Sequence, residues 1–156
     1  MESSCQMWEQ WELPVADVAP EPESSEYQAH TLSLAGRRAV FRVAKTTPTK
    51  VGQFVTLWQR SVAGPIRPFD TSDGVELFVV QAGVGAGLGM FMFPLAVLAR
   101  HGVVSVSGKG GKRAMRVYPP HVEVTSAQAQ RTQAWQCEYF VAHDAPAERV
   151  RELYAA

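Results

Sequence analysis

The stretch Phe41-Arg42-Val43-Ala44-Lys45-Thr46-Thr47-Pro48-Thr49-Lys50-Val51-Gly52-Gln53-Phe54-Val55-Thr56-Leu57-Trp58-Gln59-Arg60 decides how the chain is read. Its beginning alternates, with Val40 and Arg42 set against Phe41 and Val43. Leu32 and Leu34 repeat the pattern upstream, and Ala35-Gly36-Arg37-Arg38 lies between as a turn. Tyr27 to Thr46 therefore reads as a β-hairpin. Beyond Pro48, residues Val51, Phe54, Val55 and Trp58 recur at helical spacing with Gln53, Thr56, Gln59 and Arg60 opposite. That spacing predicts an amphipathic helix of about three turns, ended by Gly64-Pro65.

Working outward, Val75–Gln81 and Leu88–Phe93 are apolar runs joined by Gly83, Gly85, Gly87 and Gly89, which suits antiparallel strands. Pro94 opens a short helix through Leu95, Val97 and Leu98, with Gly102 as its stop. Val103–Val106 and Met115–Tyr118 read as short strands around the flexible basic loop Ser107–Arg113. Thr125 or Ser126 caps a last long helix reaching about Val141, and a short amphipathic tail with Val150, Leu153 and Tyr154 follows Pro146. The alternation of strand pairs with helices indicates an α/β or α+β layer structure. The 156 residues suit one core. The expected organisation is an acidic, proline-containing arm at residues 1–25 and a single domain at 26–156. Val15 to Ser25 has a linker's composition, whereas Trp8 and Trp11, three apart, are expected to dock on the body.

The formal net charge of zero conceals a partition. Residues 1–26 hold seven acids and no Lys or Arg, while Tyr27 to Val122 holds 12 basic residues against Asp70, Asp73 and Glu76. An excess of that sign draws polyanions, so the expected partner is nucleic acid. The alternative is a solvated surface neutralised by the acidic arm. No run of about 18 apolar residues offers a membrane span, and no membrane partner is expected. Cys5 and Cys137 cannot build a disulfide framework, and the first residues lack a secretory pattern, so a reducing, cytoplasmic home is expected.

The series Gly83-Val84-Gly85-Ala86-Gly87-Leu88-Gly89 fails the spacing of a dinucleotide fingerprint, and Gly108–Arg113 lacks the first glycine and the Ser or Thr of a nucleotide phosphate loop. No cofactor is implied. The four histidines and two cysteines are too scattered for a zinc site, and Cys137 lies mid-helix as a packing residue. The turn at Asp70 and Asp73, near Glu76, reads as hairpin chemistry before it reads as a cation site. Two cationic edges are expected to grip phosphates: Arg42, Lys45 and Lys50 around the hairpin end, and Lys109, Lys112, Arg113 and Arg116 on the glycine-rich loop and the strand after it, with Arg60 between. Trp58 and Trp135 are expected to pack in the core rather than to stack on bases.

The opening stretch resembles the signature of the MepB family. Matching words follow in order: Glu26-Tyr27, Phe91-Met92-Phe93-Pro94, Gly110-Gly111-Lys112-Arg113, Arg116-Val117-Tyr118-Pro119-Pro120, Thr132-Gln133-Ala134-Trp135-Gln136 and Tyr139-Phe140. The resemblance spans about residues 24 to 141. It implies a small bacterial protein with a restriction-endonuclease-like core of the MutH type, a mixed twisted β-sheet flanked by helices, and nucleic-acid binding, DNA in particular. Such nucleases cut with paired acids and a lysine at a strand end. Here Val43-Ala44-Lys45-Thr46-Thr47-Pro48 is similar to that strand end, but Val43 stands where the acid belongs. Lys45 remains, with Glu26 or Asp70 as displaced carboxylates, or Glu76. The reading is binding without cutting, against a degenerate metal-dependent endonuclease, or an adaptor that uses the aromatic arm on a protein partner.

Overall fold

The computed structural model describes residues 1–60 and 64–155. In chain order the helices are α1 (Glu2–Gln10), α2 (Leu95–Arg100), α3 (Ala127–Cys137) and α4 (Ala147–Ala155). The strands are β1 (Val15–Pro20), β2 (His30–Leu34), β3 (Arg37–Val43), β4 (Lys45–Thr46), β5 (Gln53–Thr56), β6 (Trp58–Arg60), β7 (Ile66–Pro68), β8 (Leu77–Ala82), β9 (Gly89–Pro94), β10 (Ala114–Val117) and β11 (Phe140–Ala142).

Alternation in the central strands places apolar side chains on both faces of one sheet. Along β8, Leu77 and Val79 point one way while Phe78, Val80 and Ala82 point the other; along β9, Met90 and Met92 oppose Phe91 and Phe93. Both faces must then be covered, and the six-stranded sheet β1-β2-β3-β8-β9-β11 is mixed, with β3 and β8 parallel and every other pair antiparallel. One face packs against a three-stranded sheet, β10-β5-β4, through Val55, Leu57, Met115 and Val117. The other is closed by α1 through Met7 and Trp8, and by α4 through Val150. No helix among the described residues is long and apolar enough to cross a membrane.

The hairpin forms as expected. Leu34 and Arg37 pair across Ala35 and Gly36, whose φ values of 48° and 84° are those of the type I′ turn that matches strand twist. The stretch after it differs. Residues 53–60 form β5 and β6, not a helix, and the last part of the expected helix falls on 61–63, outside the described residues. Gly52 explains the break: its φ is 82°, and a Cβ there would lie 2.7 Å from the Tyr118 ring. Gln53 then faces inward, its amide donating to Thr46 Oγ1 at 3.2 Å and its oxygen accepting from Gly83 N at 2.7 Å.

Two boundaries also move. The last long helix stops at Cys137, because Phe140–Ala142 leave it to pair with β9. The stretch read as a linker contributes β1, an edge strand on β2 with a bulge between Ala16 and Ala19. Trp8 and Trp11 dock as expected and are 0% and 1% exposed, with Trp11 Nε1 donating to Ala145 O at 3.0 Å. The large sheet thus draws strands from both sides of residue 26.

Candidate functional site

Of the cations expected to grip phosphates, some are bound inside the protein and others are left free. Arg42 must be removed from the exposed edge. It points from β3 into the core beside Phe69, is 1% exposed, pairs with Glu21 and donates from Nε to Thr56 O at 3.1 Å. Alternation explains this, since Arg42 shares the inward register of Val40 and a buried arginine needs a carboxylate and carbonyls around it. Arg60 makes a two-pronged contact with Glu23, at 2.5 and 3.1 Å, and this hydrogen bond holds the Glu23 carboxyl below its usual range. The acidic arm therefore does neutralise part of the basic excess.

Arg116 belongs with the first cationic edge as much as with the second. Its guanidinium reaches Val51 O at 3.0 Å, Thr47 Oγ1 at 2.7 Å and Gly52 O at 3.2 Å, fastening the turn between β4 and β5. Pairing sets Lys45, Phe54 and Arg116 side by side on the outward face of the small sheet. Arg116 lies 5.9 Å from the Phe54 ring centre, and Lys45 Nζ lies 5.2 Å from that of Tyr27.

Beside this row, two adjoining clefts run between β10 and the start of α3. One, of about 350 Å³, is lined by Lys112, Arg116 and Thr132; the other, of about 230 Å³, by Lys50, Val51 and Thr125. They share Arg116, Tyr118, Ser126 and Ala129. Ser126 caps α3, accepting from Ala129 N at 3.1 Å, and the first turn carries no acid, so the helix presents its positive end to the groove. Among the described residues no carboxylate lines either cleft. Buried Gln136 closes the inner wall: it donates to Arg116 O and accepts from Tyr118 N, both at 2.9 Å, in place of a neighbouring strand on β10. Sequence spacing identified the cap and the cations; it could not show Gln136 standing in for a strand.

The basic loop is a built turn. Val106 and Lys109 exchange both backbone hydrogen bonds at 3.0 Å, and Ser107 and Gly108 have φ values of 53° and 75°. Asp70 fixes it from below. One carboxylate oxygen accepts from Ser105 Oγ at 2.7 Å and Gly108 N at 2.9 Å, the other from Ser72 N at 3.0 Å and Ser72 Oγ at 2.6 Å. The Ser105 and Ser72 hydroxyls, followed by the Gly108 and Ser72 amides, hold this carboxyl well below the usual range. Lys109, Lys112 and Arg113 project exposed from the turn and the segment after it, with no carboxylate partner among the described residues.

The residues considered for cleavage are not bonded to one another. Asp70 is committed to its turn, Glu26 is exposed, and Lys45 lies over Tyr27; no hydrogen bond or ion pair among the described residues joins Lys45 to either acid. Among the described residues, no three His, Cys, Asp or Glu side chains are grouped as metal ligands.

Residues 21–142 match the family model described as MepB-like. The crystal structure of MepB is similar with a TM-score of 0.79 and 32% identity, over 83% of this chain and 87% of that one. No curated protein matches. The matched span holds the strand end at Lys45, the anchored basic turn, β10 and α3, and leaves out α1 and β1. The family model spans more than half of the chain and the structural match agrees with it, so the chain belongs to the MepB-like family.

Proposed function

We propose that the protein binds nucleic acid, DNA in the first instance, by holding the phosphate backbone in the groove between β10 and α3, and that it does not cut what it binds. The observation that carries this reading is the groove itself: Lys50, Lys112, Arg116 and the start of α3 converge there without a carboxylate among the described residues. Lys109 and Arg113 extend the surface, and Lys45 continues it across Phe54. Such contacts give salt-sensitive affinity and little base preference. A restriction-endonuclease-like ancestry fits Lys45 at the junction of β3 and β4, with Val43 in the place of an acid. Two free cysteines agree with a reducing cytoplasm. Trp8 and Trp11, the residues an adaptor would use, are buried in this chain, which favours the nucleic-acid reading over the adaptor.

The test is fluorescence anisotropy with labelled single- and double-stranded DNA and RNA over a salt series, first in EDTA and then in magnesium or manganese, with the strands resolved afterwards on a denaturing gel. Binding that weakens steeply with salt and leaves strands intact is expected, and Lys112→Ala with Arg113→Ala should weaken it. Metal-dependent fragments lost on Lys45→Ala would replace this reading with a nuclease. No binding at low salt would end both.

A further inference from the structure

At the far end of the groove lies a pair of rings that the phosphate reading does not use. α2 ends at Arg100, and His101 follows with its N–H bonded to Val97 O at 3.1 Å before Gly102 turns the chain at φ 73°. His101 is thereby held at a fixed place. Its imidazole lies parallel to the Trp135 ring of α3, with centroids 4.0 Å apart and planes 5° from each other. Trp135 is braced by Phe93, at 5.6 Å and 52°, and is half-buried, whereas His101 is exposed. The outer plane of the stack is therefore the imidazole. Burial beside the stack, and then the Arg100 charge, push this histidine below its ordinary range against the opposing pull of Glu138, which favours the uncharged ring.

Two clefts meet at this stack. The first is the one that carries Lys112 and Arg116; the second, of about 640 Å³, adds Arg131 and Glu138, and both are lined by His101, Gln128, Thr132 and Trp135. A flat ring is thus presented with a lysine and an arginine on one side and an arginine and a glutamate on the other, and with amide and hydroxyl groups at its rim. Phosphates need none of that flatness. A nucleobase does, because its π-face stacks on aromatic rings irrespective of sequence while the cations hold the flanking phosphates. In a duplex the bases are already paired and stacked, so only an unpaired base can reach such a ring.

Building on the phosphate-binding reading above, we propose that the His101–Trp135 stack is a site for an unpaired nucleobase, so that the groove selects single-stranded nucleic acid, or a single-stranded end, over blunt duplex. Stacking adds affinity that does not vary with salt, on top of a phosphate contribution that does.

The experiment separates these two contributions. Anisotropy would be measured over a salt series for a short single strand, the same strand with abasic sites replacing its central bases, and the blunt duplex. The abasic strand keeps every phosphate and loses the stacking partners. For the unaltered protein we expect binding to the intact strand about tenfold tighter than to the abasic strand and to the duplex, with equal salt slopes for the two single strands. His101→Leu keeps the Trp135 face covered and removes the flat outer ring, so it should bring the intact strand down to the abasic level. His101→Tyr should restore the difference, and circular dichroism would show that both variants fold. Equal binding of intact and abasic strands, or a His101→Leu variant that still distinguishes them, would overturn this inference while leaving phosphate binding in place. No binding of any oligonucleotide at low salt would remove both readings together.

Discussion

Glu21 and Glu23, in the segment after β1, are each paired with an arginine of the body, whereas Lys50, Lys112 and Arg116 line clefts that no carboxylate enters among the described residues. The basic excess therefore divides in two. Beside the arm, cations serve the fold: Arg42 is enclosed at 1% exposure and Arg60 is clasped at the surface at 53%. Beside α3, Lys50 and Lys112 have no carboxylate partner among the described residues, and Arg116 holds the turn between β4 and β5 through neutral oxygens alone. The comparison teaches that net charge along a sequence does not measure a binding surface, because the same residue type is structural or available according to the strand register that carries it.

The largest expected effect comes from opening the enclosed pair. Glu21→Ala leaves the Arg42 guanidinium charged in the core, with only the carbonyls of Thr56 and Phe41 for company. The expected loss is about 3–5 kcal/mol of unfolding free energy, read as a lower urea midpoint with an unchanged slope. A midpoint within experimental error of the unaltered protein would show that the arm does not contribute to the core. In the groove the opposite pattern is expected. Lys50→Ala with Lys112→Ala should stay within about 0.5 kcal/mol of the original stability, since both side chains are exposed. For duplex DNA the same pair should flatten the dependence of log affinity on log salt by about 0.9 per lost contact. A slope unchanged by both substitutions would place the phosphates elsewhere.

The Asp70 turn comes next. Its carboxyl titrates below the ordinary value of 3.8 when folded, so the unfolded chain takes up its proton first as pH falls. The contribution is thus complete well above pH 3.8 and is lost as pH falls through that value and below. Asp70→Asn should melt earlier than the unaltered protein at pH 7, and the gap should close on acidification toward pH 2. A gap that holds constant with pH would mean that the four hydrogen bonds do not depend on the charge.

How much of this was legible follows from the same residues. The hairpin turn at Ala35-Gly36, the runs of β8 and β9 and the stop at Gly102 carry local signals, and each stands where the sequence puts it. Val51, Phe54, Val55 and Trp58 fit a helical period by coincidence. The competing signals were Gly52, which sits at positive φ against Tyr118, and the β-branched Val55 and Thr56. The end of α3 could not be read locally, because Phe140 and Val141 are drawn out of the helix by pairing with β9. Among the site residues, Lys112 and Arg113 were visible as a basic run. Arg42 was misplaced because nothing near it in sequence announces Glu21, 21 residues away. His101 and Trp135 are 34 positions apart, a separation that closes because α2 packs on β9 while Trp135 rests on Phe93 of the same strand.

The smallest effect is expected at Glu23, and it sharpens the comparison most. Glu23 and Arg60 are exposed enough for water and salt to screen them, so Glu23→Gln should leave the urea midpoint within experimental error of the unaltered protein. Its consequence for binding depends on where the freed guanidinium lies. Arg60 lines neither of the two groove clefts, and a charge farther than about 10 Å from the bound phosphates is largely screened at 0.1 M salt. The expected change in oligonucleotide affinity at that ionic strength is therefore less than about twofold. A gain of tenfold or more would put Arg60 among the phosphate contacts and make Glu23 their competitor. The acidic arm would then be a brake on the groove, and the division between structural and available cations would be a setting of the molecule rather than a fixed property of its fold.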